Sequence, residues 1–156
     1  MNLTEETDLL RNIPMFSSLE PSKLKLLAFT SEMLKYDDKE ILFTIGDSAD
    51  SAYVIMDGEV DILIDIENGT MDTLTLHKNQ LIGEMALLNN VPRLATLVAN
   101  GPLTLLKITD KVFHTLLLEN PGFAMDVMRQ LTHKLAIAHD KITSLESELF
   151  HKSQSH

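Results

Sequence analysis

Short apolar runs separated by turn-forming residues occupy the middle of the chain. Six of them have the length and composition of strands: Ile41–Ile45, Ala52–Met56, Val60–Glu67, Met71–Leu76, Leu94–Ala99 and Leu103–Ile108. The turn sequences between runs include Gly46-Asp47, Asp57-Gly58, Asn68-Gly69 and Asn100-Gly101-Pro102. Asp57-Gly58 predicts a hairpin, and Asn100-Gly101-Pro102 predicts a break between two strands. Many short strands at this spacing are typical of an antiparallel barrel or a double-sheet jelly roll.

Helical patterns precede the strand region. Residues 5–16 predict a short helix that ends in a turn. A second helix is expected from about Pro21, because proline suits a first helical turn, and Leu24, Leu27 and Ala28 follow at helical spacing. With helices at the ends and strands in the middle, the fold class is predicted to be α+β.

Two helices are also expected after the strands. Thr109 is a candidate N-cap for a helix that runs through Glu119 and ends at Asn120-Pro121-Gly122. A long helix from Phe123 to Phe150 follows. The polar tail, His151–His156, is expected to be disordered.

The composition is that of one domain. A chain of 156 residues can bury about 68–70% of its unfolded surface. No apolar run approaches the length of a membrane span, the acidic N-terminus lacks a signal-peptide pattern, and cysteine is absent, which together favour a cytoplasmic protein. The formal charge of −10 opposes nonspecific nucleic-acid binding. The expected parts are N-terminal helices (1–32), a strand region (33–108), C-terminal helices (109–150) and a tail (151–156).

A glycine, a carboxylate and an arginine lie close together between residues 82 and 99. Arg93, one of three arginines in the chain, presents a planar fork of donors that matches phosphate oxygens. Gly83 lets the backbone approach a ligand, and Glu84–Leu88 can form a helical turn with free N–H groups. Glu84 would repel a bare phosphate, but it accepts a hydrogen bond from a sugar hydroxyl. These residue types indicate a ribose phosphate site; the alternative is an ordinary ion pair between Glu84 and Arg93.

The same segment resembles the phosphate-binding cassette of cyclic-nucleotide-binding domains, which include catabolite-activator-type regulators and the regulatory subunits of cyclic-nucleotide-dependent kinases. The matching residues are Gly83–Leu87, Pro92-Arg93 and Ala95-Thr96, with Gly46–Asp50, Tyr53–Ile55 and Gly58–Val60 upstream. The resemblance runs from about Leu10 to about Leu149. It selects the jelly roll, with the cassette at 82–96, and implies a regulatory sensor rather than an enzyme.

The resemblance also implies a role for individual cassette residues. Arg93 is expected to hold the cyclic phosphate, helped by backbone N–H groups of Ala86 and Ala95. Glu84 is expected to accept a hydrogen bond from the ribose 2′-hydroxyl, and Thr96 to bond the phosphate or the base. The predicted ligand-binding residues are Gly83, Glu84, Met85, Ala86, Arg93, Leu94, Ala95 and Thr96. The ligand is a cyclic nucleotide, with no separate cofactor and no metal.

Leu94, the residue after the arginine, favours cyclic AMP over cyclic GMP. Family members that prefer cyclic GMP often have Thr or Ser here, whose hydroxyl meets the guanine amino group, whereas leucine has no polar group. The alternative function is a dimeric interaction scaffold that kept the fold and lost the ligand. Ala138-His139 support this alternative, because catabolite-activator-type members have hydroxyl side chains there that reach the adenine. His133 and His139 are six residues apart and do not share the i, i+4 face of a helical metal site.

The long helix carries a heptad of apolar residues. Met128, Leu135, Ile142 and Leu149 occupy one core position, and Leu131, Ala138 and Leu145 occupy the other. A strict seven-residue repeat is typical of a coiled coil, so a parallel homodimer through residues 123–150 is expected. The alternative is a monomer whose helix folds back on the barrel. No helix-turn-helix domain follows the helix, so DNA binding is not expected of this chain, and the effector partner is unknown.

Overall fold

The computed structural model describes residues 2–65 and 71–154, which contain six antiparallel strands and five α-helices. In chain order the elements are α1 (Leu3–Arg11), a 3-10 helix (Pro14–Phe16), α2 (Pro21–Thr30), β1 (Glu32–Tyr36), β2 (Ile41–Phe43), β3 (Ser51–Asp65), β4 (Met71–Leu76), β5 (Leu81–Ile82), α3 (Glu84–Asn89), β6 (Thr96–Thr109), α4 (Asp110–Glu119) and α5 (Pro121–Gln154). The predicted turn at Asn68-Gly69 lies outside the described residues.

Two long strands, β3 and β6, form the centre of the sheet. They pair with each other along most of their length, and the order β1-β6-β3-β4 places β1 and β4 on their outer sides. The short strand β2 also pairs with β6, and β5 with β3. Every pairing is antiparallel. The predicted α+β fold with an antiparallel jelly roll is confirmed, although hydrogen bonds among the described strands do not close the sheet into a ring.

The two breaks predicted within the long strands are wrong. Asp57-Gly58 lies inside β3 and Asn100-Gly101-Pro102 lies inside β6. The pairing register shifts at this point, with Asp57 opposite Thr104 and Glu59 opposite Asn100. The turn residues therefore form an irregular bulge between two continuous strands, because each strand resumes pairing with the same partner on the far side.

Gly58 makes this bulge possible. Its φ is +95°, and a Cβ at this position would lie only 2.4 Å from the carbonyl oxygen of Pro102. A bulge bends its strands, so each long strand serves two neighbours. The half of β3 before Gly58 pairs with β5 and the half after it with β4, while β6 pairs with β2 before the bulge and β1 after it.

Alternate side chains of β3 belong to two hydrophobic clusters, as the two faces of a strand require. Ala52 and Val54 join a cluster with the apolar faces of α1, α2, α4 and α5. Tyr53 and Ile55 join a second cluster made only of strand residues, which fills the interior of the roll. Phe123, at the start of α5, contacts the helical cluster, and this anchors α5 to the roll.

Most of the predicted helix boundaries are confirmed, and some are wrong. Thr109 caps α4, with its hydroxyl accepting from the N–H of Val112 at 3.4 Å. The helix predicted for residues 5–16 ends instead at Arg11, and a separate 3-10 helix begins at Pro14, because proline has no N–H for an α-helical bond. The predicted tail is also wrong in part, since α5 continues through Gln154. No helix in the described part of the chain has the length and apolar content that a membrane span needs.

Candidate functional site

Gly83 connects β5 to the short helix α3. Its φ is +77°, which is the left-handed region, and a Cβ there would lie 2.8 Å from Nη1 of Arg93. Both the backbone conformation and the close approach of the arginine require glycine. Gly83 therefore leaves room for the Arg93 side chain, and the predicted close approach of a ligand to this backbone stays a prediction.

The loop around Gly46 holds the backbone of Arg93. The N–H of Arg93 donates to the carbonyl of Asp47, and the N–H of Gly46 donates to the carbonyl of Arg93, both at 2.8 Å. The Asp47 side chain accepts from the N–H of Thr44 at 2.9 Å, which is turn chemistry, as the sequence indicated. Two segments that are far apart in the sequence thus fix the root of the Arg93 side chain.

The guanidinium of Arg93 is buried, with 3% of the residue exposed. It donates through Nη1 to the carbonyl of Gly83 and through Nη2 to the carbonyl of Ser51, each at 2.8 Å. Its central carbon lies 4.1 Å from the centroid of the Phe43 ring and 5.7 Å from that of Tyr53. Carbonyl dipoles and ring faces both stabilise a cation at this position.

All of these partners of Arg93 are neutral. Its Nε is buried and has no hydrogen-bond partner, and no carboxylate of the described residues forms an ion pair with it. A buried charge without a counter-charge is costly. The site therefore holds an uncompensated positive charge and a free donor, which suits an anionic ligand.

Glu84 does not pair with Arg93, so the ordinary ion pair considered as the alternative is absent from the site. Only 1% of Glu84 is exposed, and its Oε1 accepts from Nζ of Lys134 at 2.7 Å. Lys134 belongs to α5, is 9% exposed, and also donates to the carbonyl of Leu81. No hydrogen bond from a described residue reaches the second carboxylate oxygen, Oε2.

Two adjoining cavities lie at this site. The inner cavity, of about 80 Å³, lies between Arg93, Glu84 and the Phe43 ring. The outer cavity, of about 430 Å³, separates β4 from α5. Apolar residues line most of the outer cavity, including Ile62, Leu74, Leu94, Ile137 and Ile142, and its polar residues are Thr75, His77, Gln80, His133 and Lys134.

Seven of the eight predicted ligand-binding residues line the inner cavity: Gly83, Glu84, Met85, Ala86, Arg93, Leu94 and Ala95. Met85, Leu94 and Ala95 line the outer cavity as well. Thr96 lines neither, and its hydroxyl accepts from the N–H of Ile45 at 2.9 Å. The fold thus brings the predicted residues together except for Thr96, which is engaged in holding the neighbouring loop.

Lys134 is the site residue that the sequence prediction missed, together with Phe43 and Ser51. A signal for it was present. Phe123 and Val127 form the buried stripe of α5, and Lys134 follows Val127 by seven residues, which returns a helix to nearly the same face. A lysine on that face needs an anionic partner when it is buried, and the cassette supplies Glu84.

The fold and the site together define a jelly-roll domain with a buried cationic site. Residues 33–120 match the profile of the family described as "Cyclic nucleotide-binding domain". The chain belongs to the cyclic nucleotide-binding domain family.

Relatives and solved structures agree with this assignment. The chain is 35% identical over 124 residues to a cAMP-dependent protein kinase regulatory subunit of Blastocladiella emersonii, covering 79% of this chain and 30% of the relative. It is 33% identical over 124 residues to a type II regulatory subunit of Drosophila melanogaster, covering 79% and 32%. The chain therefore spans about a third of the length of these curated relatives.

Among solved structures, a cAMP-binding acyltransferase from Mycobacterium smegmatis superposes with a TM-score of 0.76 at 28% identity, covering 86% of this chain and 42% of that one. The catabolite activator protein of Thermus thermophilus superposes with a TM-score of 0.68 at 26% identity, covering 85% and 63%. Proteins with different names and lengths thus contain this same domain.

Proposed function

We propose that the chain is a non-catalytic sensor module that binds a 3′,5′-cyclic nucleotide, with cyclic AMP preferred over cyclic GMP. The observation that carries this proposal is the Arg93 guanidinium. It is buried, bonded only to neutral partners, and left with an unmatched Nε. A cyclic phosphate supplies the anionic oxygens that this arrangement lacks.

The position of Glu84 supports a ribose attached to that phosphate. Its carboxylate lines the same cavity as Arg93, and Lys134 already balances its charge. Oε2 is then available to accept a hydrogen bond from the 2′-hydroxyl, and the Lys134 ammonium limits the repulsion between Glu84 and the phosphate. The sequence resemblance implies the same two roles, with Arg93 holding the phosphate and Glu84 accepting from the ribose hydroxyl.

The outer cavity supports a base, and its walls bear on which base binds. Leu94 lines this cavity and offers no partner to the guanine amino group. The named relatives are cAMP-dependent kinase regulatory subunits, which supports adenine as well. The absence of a hydroxyl at Ala138-His139 leaves the amino group of adenine to the solvent or to the polar residues at the rim.

Isothermal titration with cyclic AMP and cyclic GMP tests the proposal. Wild type is expected to bind cyclic AMP more tightly, and Arg93→Ala to lose roughly 10- to 100-fold in affinity, since a hydrogen bond to a charged group contributes 1.5–3 kcal/mol. The matched control is Arg129→Ala, which removes an exposed arginine of α5 that pairs with Asp126. No binding of either nucleotide by wild type would favour the scaffold that lost its ligand.

We also propose that α5 joins two copies of the chain and carries the binding signal. Met128, Leu135, Ile142 and Leu149 are exposed along α5, and Ile142 also lines the outer cavity. Phe123, Val127 and Lys134 bind a different face of the helix to the roll. An exposed heptad row of this kind suits a parallel coiled coil. A ligand that contacts the cassette would then bias the position of α5.

Light scattering after size exclusion tests the dimer. Leu135 is the best position to change, because it is 70% exposed and lies outside both cavities. Leu135→Asp is expected to yield monomers, since a charge at a coiled-coil core position would be buried without a partner. Ala136→Asp, which places the same charge on an adjacent exposed residue, should leave the dimer intact. If the wild-type protein had the mass of one chain at a concentration of tens of micromolar, this result would favour the monomer. The cytoplasmic location and the absence of DNA binding stay predictions.

A further inference from the structure

Another cavity, of about 240 Å³, lies where α1, the end of α2 and the strands β1 and β6 meet. We call it the α1 cavity. Leu10, Ala28 and Leu106 form its floor, since all three are buried members of the helical cluster. Leu9 and Met33 form its rim, with 38% and 50% of each residue exposed. None of the residues that line it lines either cavity at the cassette, so it is a separate site.

The α1 cavity is apolar and has room for a ligand. Five of its seven lining residues are apolar, and the other two are Glu6 and Ser31. The Ser31 hydroxyl already donates to the carbonyl of Leu27. Water gains few hydrogen bonds against such a wall, and an apolar cavity of about 150 Å³ stays dry and holds benzene. A cavity of about 240 Å³ therefore accommodates a short alkyl chain.

Glu6 supplies the charge at the α1 cavity. It is partly buried, and no ion pair or hydrogen bond from a described residue reaches its carboxylate. The neighbouring carboxylates differ, because Glu5 accepts from the N–H of Asn2 and Asp8 pairs with Arg11. No lysine, arginine or histidine of the described residues lines the cavity. A cation at the rim would therefore meet an unmatched carboxylate and no like charge.

We propose that the α1 cavity binds a small amphiphile with one alkyl chain of roughly six to eight carbon atoms and a cationic head group. The chain length follows from the volume, because 240 Å³ holds about eight groups of the size of a water molecule, ~30 Å³ each. The chain lies on the apolar floor, and the head group lies beside Glu6. The outer cavity at the cassette favours the opposite charge, because Lys134 lines it. This inference does not depend on the proposed function.

Titrations of the wild-type protein with hexylammonium, heptylammonium and octylammonium test the apolar part of the site. Calorimetry measures Kd, and the NMR signal of the Met33 methyl group reports the location, because this side chain stands at the rim. Each added methylene should lower Kd roughly three- to fourfold, as expected for the burial of one CH₂ group. A Kd that does not depend on chain length, binding that leaves the Met33 signal unchanged, or no binding at millimolar ligand would overturn the inference.

A comparison of head groups tests the role of Glu6. Octylammonium should bind roughly two- to fivefold more tightly than octanol, the value of a solvent-exposed ion pair, and octanoate should bind more weakly than either. Glu6→Gln should remove the difference between octylammonium and octanol. Glu20→Gln is the charge-matched control, because Glu20 is exposed and its side chain makes no capping bond to α2. The same preference in Glu6→Gln as in wild type would overturn the assignment of a cationic head group.

Substitutions in the floor and the rim test the location. Ala28→Leu fills part of the α1 cavity and should abolish octylammonium binding, while the affinity for cyclic AMP stays unchanged. Where Ala28→Leu does not fold, Leu9→Asn at the exposed rim should raise Kd roughly threefold or more. Arg93→Ala should bind octylammonium as wild type does, so a failure of the proposed nucleotide function is distinguishable from a failure here. Unchanged octylammonium binding in Ala28→Leu or in Leu9→Asn would place the ligand elsewhere and overturn the inference.

Discussion

A methyl group at Gly83 would meet the guanidinium of Arg93, and this contact can be separated from backbone strain. In Gly83→Ala the new Cβ would lie 2.8 Å from Nη1, at a backbone φ of +77°. The left-handed conformation costs a non-glycine residue about 1–2 kcal/mol. For a domain of this size that lowers the melting temperature by roughly 2–8 °C. The guanidinium must also shift, which breaks or lengthens its bond to the Gly83 carbonyl.

Gly101→Ala is the matched control, because it imposes the strain without the contact. Gly101 has φ +84° and no atom within 4 Å of the position a Cβ would occupy. The two variants should therefore lose similar stability, while only Gly83→Ala should lose affinity for cyclic AMP. The expected loss is roughly 10- to 100-fold, since a displaced guanidinium loses at least one charge-assisted hydrogen bond. Thermal melting and calorimetric titration measure the two effects. Equal affinities in the two variants would refute the assignment of Arg93 as the phosphate ligand.

Three further substitutions test other parts of the structure. Leu94→Thr should narrow the difference in affinity between cyclic AMP and cyclic GMP, because it adds a hydroxyl beside the base; an unchanged ratio in titrations would contradict the role of Leu94. Phe43→Leu should lower the free energy of unfolding by about 0.5–2 kcal/mol beyond the loss of packing, because the ring faces the Arg93 cation. Phe29→Leu, at an exposed position, should leave the midpoint of chemical denaturation almost unchanged. Gly58→Ala should destabilise the domain much more than Gly101→Ala does. Both glycines have positive φ, but only at Gly58 would a Cβ lie against the backbone, 2.4 Å from a carbonyl oxygen. Equal denaturation midpoints for the two variants would contradict the importance of the bulge.

Much of the site was predictable from the sequence because its parts are close together in the chain. Gly83, Glu84 and Arg93 lie within eleven positions of one another, counted from 83 to 93, and one short helix and its following loop bring them together. The same holds for the helix ends, since Thr109 and Pro121 act on backbone groups within one turn. Local chemistry of this kind is readable wherever the interacting groups are neighbours in sequence.

The tertiary structure alone decided what these local features do. Asp57-Gly58 has the composition of a hairpin turn, but pairing of β3 with β6 on both sides of it makes it a bulge. Thr96 has the hydroxyl of a ligand-binding residue, but that hydroxyl holds the Ile45 backbone. Glu84 was expected to have either Arg93 or the ligand as its partner, whereas its protein partner is Lys134, fifty residues away on α5. Spacing places Lys134 on the same helix face as Val127, but it does not identify the carboxylate that Lys134 meets. That partner depends on where the packing of Phe123 and its neighbours places the helix against the roll.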